Sequence, residues 1–168
     1  DDIHECERLQ ERITRLASGV AIIRVGAASE VEMTEKKHRV EDALEAVRSA
    51  QQEGTVTGGG TALLRAAHKL KVATDNSEQE LGVEIIKNSL AGPIRQMALN
   101  AGESPDLIMN QVLKAKNTRM GWNFSTGKMV NMYDSGIIDP KKVTRNAIEN
   151  AASVSSTLLT TSYAIVEN

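Results

Sequence analysis

Trp122, Phe124, Tyr133 and Tyr163 are the only aromatic side chains in 168 residues, and this scarcity limits what the chain can fold into. A core has to be assembled from Ala, Val, Leu, Ile and Met, which suit closely packed helices. So few rings also argue against a platform on which nucleic-acid bases stack. The hydrophobic fraction, 40%, and the charged fraction, 25%, are those of an ordinary globular chain. The length suits one domain or pieces of two.

Net charge is −2, and acids and bases are interspersed. No basic run could follow a phosphate backbone, so nucleic acid is not an expected partner. No apolar run reaches the ~20 residues that span a bilayer, and the start carries no signal-peptide pattern. Cys6 stands alone, which excludes an intrachain disulfide and fits a reducing compartment. The chain opens Asp1-Asp2-Ile3 without an initiator Met and enters a helical stripe at once, which reads as an internal or trimmed segment of something longer.

Apolar periodicity predicts helices over most of the length. Ile3, Cys6, Leu9, Ile13 and Leu16 predict a helix over 3–17. Val40, Ala43, Leu44 and Val47 predict another from about Thr34 to Gly54, with Glu35, Lys36, Glu41 and Glu45 on a charged face. Leu63, Leu64, Ala67 and Leu70 form the stripe of a helix over 61–72. Ser77-x-x-Glu80 reads as a capping box ahead of Leu81, Ile85, Ile86 and Leu90. Gly92-Pro93 breaks that helix and starts the next. Ser104-Pro105 and Asp139-Pro140 both read as a cap followed by Pro at the first helical position, the second opening a long helix to about Leu158. Short strands are expected at 20–25, at Thr55-Val56-Thr57 and at 163–167, with a small hairpin turning at Ser125-Thr126-Gly127. The two terminal strands have no evident partner within the chain.

Neither a G-x-x-x-x-G-K-[ST] phosphate loop nor a G-x-G-x-x-G fingerprint after a strand occurs, and His4, His38 and His68 lack ligand spacing, so no metal site is expected. Four features remain. Asp42 lies mid-helix, where a solvated charge is the ordinary reading. Gly58-Gly59-Gly60 runs into a helix, as a turn or a nucleotide loop. Asn123 sits between Trp122 and Phe124, where a turn residue is ordinary. Asp139 is accounted for as a helix cap.

The stretch "GAASEVEMTEKKHRVEDALEAVRSAQQEGTVTGGGTALLRAA" resembles group I chaperonins of the GroEL type, and "GIIDPKKVTRNAIENAASVSSTLLTT" resembles the C-terminal region of the same family, in the right order and spacing. The resemblance covers essentially the whole chain, and "KKHRVEDAL", "GGGTALL" and "GIIDPKKVTR" are specific to it. It implies a mainly α fold: a helical bundle of the chaperonin equatorial type with short β-strands, plus a long intermediate-domain helix. Residues 1–19 would end the apical domain, about 20–53 would form the returning half of the intermediate domain, and about 54–168 the C-terminal half of the equatorial, ATP-binding domain.

The implied function is part of an ATP-dependent chaperonin that assists folding of unfolded polypeptides. By the resemblance Gly59 contacts ribose through its backbone, Asn123 lies beside adenine, Ile137 packs on the adenine face, Asp139 holds the ribose hydroxyls, and Asp42 orients the attacking water. ATP with Mg²⁺ would be the cofactor of the intact parent, whose phosphate and magnesium ligands lie in the half not represented. Partners would be other subunits of a heptameric ring, a co-chaperonin and unfolded polypeptides, in a bacterial cytoplasm or an organelle matrix. Alone, this chain is expected to lack ATPase and folding activity and to self-associate. Trp122 stands where the family usually has Tyr, Phe124 and Ser125 where small residues are common, and Ser104 where Glu is common. Glu30, Glu53 and Arg145 match charges that form ion pairs in the family. Two other readings are a stand-alone helical oligomerisation module without catalysis, whose terminal strands pair between subunits, and a small nucleotide-binding enzyme using Gly58–Gly60 and Asp139.

Overall fold

The computed structural model describes residues 21–165 together with positions 5, 6, 8, 9, 12, 13 and 16. It divides into two compact units, residues 1–43 and 44–168.

In the first unit the described positions between 5 and 16 are helical, as the 3–17 periodicity predicts, and they are exposed; the remaining positions of that expected span lie outside the described residues. Residues 21–27 have no regular structure, so the strand expected at 20–25 does not form over its described part. A strand without a ladder leaves its N–H and C=O groups unpaired, and no described segment pairs with this one.

Helix α1 spans Glu30–Glu53 and begins earlier than its apolar stripe suggests. Ser29 Oγ accepts from the Glu32 N–H, and Glu32 Oε2 accepts from the Ala28 N–H. That is a Ser-x-x-Glu box, legible in "SEVE" but placed upstream of the apolar residues. None of its residues is buried. Its polar faces carry ion pairs at helical spacing, Glu32–Lys36, Glu35–Arg39, Lys37–Glu41 and Glu45–Arg48. Each such exposed pair contributes only a few tenths of a kcal/mol.

The second unit holds most of the packing. After α1 come β1 (Thr55–Thr57), α2 (Thr61–Lys69), α3 (Ser77–Leu90), α4 (Gly92–Asn100), α5 (Pro105–Lys114), β2 (Met120–Asn123), β3 (Lys128–Asn131), β4 (Ile138–Pro140) and α6 (Lys141–Leu159). The chain is mainly helical, as expected. Its core is small and aliphatic: Leu64 of α2, Ile94 and Ala98 of α4, and Ile108 and Val112 of α5. Met97, Met109, Trp122 and Phe124 pack on its margin. The hairpin forms where expected, with Trp122 opposite Met129 and Asn123 opposite Lys128.

Several local expectations are corrected. The box ahead of α3 is shifted by one residue: Asn76 Oδ1 accepts from the Gln79 N–H at 2.9 Å, and Gln79 Oε1 accepts from the Asp75 N–H at 2.9 Å. Asn caps at least as well as Ser, and the one-residue shift uses Gln79 in the role assigned to Glu80. Ser104 makes no side-chain cap bond, although Pro105 does begin α5. Asp139 is not a helix cap. It belongs to β4, which pairs antiparallel with β1 in the register Thr55–Pro140, Val56–Asp139 and Thr57–Ile138, and Pro140 precedes α6. The strand expected at 163–167 is irregular over 163–165, and its remainder lies outside the described residues. The apolar stripes of α3 and α6 are largely exposed. Leu81 and Ile85 are 60% and 62% exposed, and Val154 is 60% exposed.

Candidate functional site

The β1–α2 connection brings separate stretches of backbone close together. The Gly58 N–H donates to the Ile137 carbonyl at 3.0 Å, and the Thr61 N–H donates to the Gly58 carbonyl at 3.1 Å. A Cβ on Gly58 would lie 3.1 Å from the Ile137 carbonyl carbon and oxygen and 3.2 Å from Asp139 Oδ1. Gly60 has φ +70°, and a Cβ there would lie 2.8 Å from the Ile94 nitrogen. Only glycine combines that left-handed backbone with so close an approach. Gly59 faces the Met132 side chain and, at 3.6 Å from its would-be Cβ, the Trp122 carbonyl oxygen. The glycine run is therefore a tight joint wedged between the 137–139 strand entry, the hairpin and α4.

This joint opens on a groove of about 790 Å³. Thr57, Gly59 and Asp139 supply its backbone and polar edge. Leu63, Ile85, Ile86, Val143, Ala147 and Ile148 supply apolar wall. The exposed stripes of α3 and α6 thus line a concave surface. Asp139 is half-buried, and burial alone pushes its carboxyl above the ordinary value. Among the described residues no cation or hydrogen-bond donor offsets that desolvation. Its oxygens are available to hydroxyl donors.

Of the other expected residues, Ile137 meets the joint through its backbone. Ile137 donates its N–H to the Met132 carbonyl at 2.8 Å and accepts from Gly58. Asn123 ends β2, where its Oδ1 accepts from the Ser125 N–H at 2.9 Å, so its carbonyl group serves the hairpin turn. Asp42 lies exposed on α1 in the first unit. Sequence reasoning named Gly58 only as part of the glycine run, although its packing against Asp139 makes the joint, and it passed over Thr57, at which only the adjacency of "TVT" to the glycines hinted. Among the described residues there is no group of three or more His, Cys, Asp or Glu side chains placed to hold a metal ion, and no helix long and apolar enough to cross a membrane.

The same unit contains the ion pair foreshadowed by Glu53 and Arg145. Arg145 Nη2 meets Glu53 Oε1 at 2.6 Å and Nε meets Oε2 at 3.1 Å, a two-bond fork, while Nη1 meets Glu149 Oε2 at 2.6 Å. Lys142 Nζ donates to Gln52 Oε1 beside it. The end of α1 is thereby fastened to the first turns of α6.

The fold compares with a solved one. A crystal structure of a group III chaperonin in the open state matches with a TM-score of 0.72 and 27% identity, over 84% of this chain and 30% of that chain. This chain therefore spans about a third of the length of the chaperonin it resembles. The model of the TCP-1/cpn60 chaperonin family matches residues 4–168, nearly the whole sequence. On that match, the chain belongs to the TCP-1/cpn60 chaperonin family.

Proposed function

We propose that this chain is the C-terminal portion of a group I, GroEL-type chaperonin subunit, contributing the ribose and adenine side of an ATP site to an ATP-dependent machine that assists polypeptide folding. The observation that carries the reading is the joint itself. A half-buried carboxylate without a charge partner, Asp139, stands against a glycine backbone at the edge of a groove. That donor set fits a ribose. The two oxygens of Asp139 accept from vicinal hydroxyls, and Gly59 lets the sugar approach backbone directly.

In this reading Ile137 and Asn123 frame the base, with Trp122 and Phe124 as neighbours bulkier than the family usually carries. Asp42 orients the attacking water from a helix that moves with its own domain, so that hydrolysis waits for closure. ATP, bound with Mg²⁺, supplies a phosphoanhydride whose cleavage drives the domain motions of the ring. Residues for phosphate and magnesium belong to the other half of the subunit. Ring partners, a co-chaperonin and non-native polypeptides belong to the whole protein, in a bacterial cytoplasm or an organelle matrix. The isolated chain is expected to be inactive as an ATPase and to self-associate through its uncovered apolar walls.

The stand-alone oligomerisation reading draws on terminal strands, and residues 21–25 and 163–165 are not strands. The decisive experiment recovers the coding sequence upstream of Asp1. An upstream glycine/threonine phosphate loop is expected, and a start codon immediately before Asp1 overturns the reading. Chaperonin-like ATP turnover by the 168-residue chain alone would overturn the assignment of the phosphate ligands to the other half.

A further inference from the structure

Three cations are gathered on the second unit without a carboxylate among them. Arg65 and Lys69 are one turn apart on α2 and so share a face. The Arg65 guanidinium donates to the carbonyls of Ala115 (3.4 Å), Asn117 (3.3 Å) and Met120 (3.0 Å), which fastens it to the segment that carries Arg119. The Arg119 guanidinium lies over the Tyr133 ring, 5.6 Å from its centroid. All three line a concavity of about 370 Å³ that includes Thr118 and has no acidic residue in its wall.

None of the three makes an ion pair among the described residues, although other cations of the unit do. Burial pushes the Arg65 guanidinium below its ordinary value with no carboxylate to oppose the shift. Like charges one helical turn apart are destabilising, and a chain with net charge −2 had acids to place there. Lys69 and Arg119 are exposed and free to close on a ligand.

We propose that this concavity binds a small phosphate-type oxyanion, with Lys69 and Arg119 as its direct ligands and Arg65 as a fixed charge in the floor. Multiple positive charges and a guanidinium favour a multivalent tetrahedral anion over a single carboxylate. Thr57 and Ala62 line both this concavity and the groove that holds Gly59 and Asp139, so the two share the wall formed by β1 and the start of α2. The inference does not depend on the nucleotide reading of that groove. The same chemistry could come from free inorganic phosphate or from the phosphates of a nucleotide.

The test is a titration of the full 168-residue chain with inorganic phosphate, followed by ¹H–¹⁵N spectra at constant ionic strength made up with chloride. Saturable shifts of the Lys69, Thr118 and Arg119 amides are expected. Lys69→Ser and Arg119→Ser, both at exposed positions, should each weaken binding about tenfold, in keeping with loss of one charge-assisted bond. A parallel titration with ADP separates the sources. Movement of the same amides at lower concentration identifies a nucleotide phosphate as ligand, whereas no movement of them identifies free phosphate. Shifts that do not saturate beyond the chloride control, or an affinity unchanged in both folded variants, would overturn the proposal.

Discussion

Gly58 and Asp139 meet so closely that a Cβ on the glycine would lie 3.2 Å from the carboxylate oxygen Oδ1. The contact exists because β1 and β4, 80-odd positions apart in the chain, pair with Val56 opposite Asp139. A three-residue ladder thus sets a carboxylate beside a glycine joint and holds it half out of water.

Asp139→Asn should stabilise the chain at neutral pH. The folded-state pKa of Asp139 is raised by burial, so the ionised form is penalised only in the folded state. That penalty is absent below the unfolded carboxyl pKa and is complete once pH has risen through the folded pKa. The gap in urea midpoint between variant and parent should be widest near neutrality and close in acid. An Asp139→Asn chain less stable than the parent at neutral pH would contradict the assignment of burial as the cause.

Glu53 behaves in the opposite sense. Its hydrogen bonds from Arg145 hold its carboxyl below the ordinary range, against a smaller opposing effect of desolvation. The contribution of the pair is present above the unfolded pKa and lost as pH falls through the folded one. Urea midpoints should therefore fall in acid for the parent and less so for Glu53→Gln. Because Arg145 is substantially exposed, added salt should narrow the difference at neutral pH. Arg145→Lys should not restore it, since an ammonium cannot span both oxygens as the guanidinium does.

Gly60→Ala and Gly82→Ala should move stability in opposite directions. A Cβ at Gly60 meets Ile94 backbone at 2.8 Å on a left-handed residue, and overpacking of this kind costs about 1–3 kcal/mol. Gly82 lies within α3 with nothing within 4 Å of its would-be Cβ, and replacing a mid-helix glycine with alanine gains about 0.5–1 kcal/mol. Denaturant titration of both variants checks the pair. Equal effects would mean that α2 and α4 are not packed through Gly60.

Arg65→Met should loosen the hairpin more than the helices. The guanidinium holds the carbonyls of Ala115, Asn117 and Met120, and loss of hydrogen bonds from a charged donor costs about 2 kcal/mol. Amide exchange should accelerate over 117–131 while α4 and α5 keep their protection. Uniform acceleration across the unit would instead mark a global loss of stability.

The amino-acid order alone determined the helical content, because the 3.6-residue apolar period is local and needs no partner. It also determined the hairpin turn and the family resemblance carried by "KKHRVEDAL", "GGGTALL" and "GIIDPKKVTR". The resemblance implied a site of Asp42, Gly59, Asn123, Ile137 and Asp139; of these, Gly59 and Asp139 line one groove and Ile137 bonds the adjoining Gly58. Tertiary structure decided the rest, because the rest depends on pairings between distant segments. Asp139 reads as a helix cap until its backbone pairs with Val56, and only the packing of α3 and α6 shows that their apolar stripes line a groove. The segments 21–25 and 163–165 have strand composition but no described partner, and a β-strand, unlike a helix, cannot satisfy its own backbone.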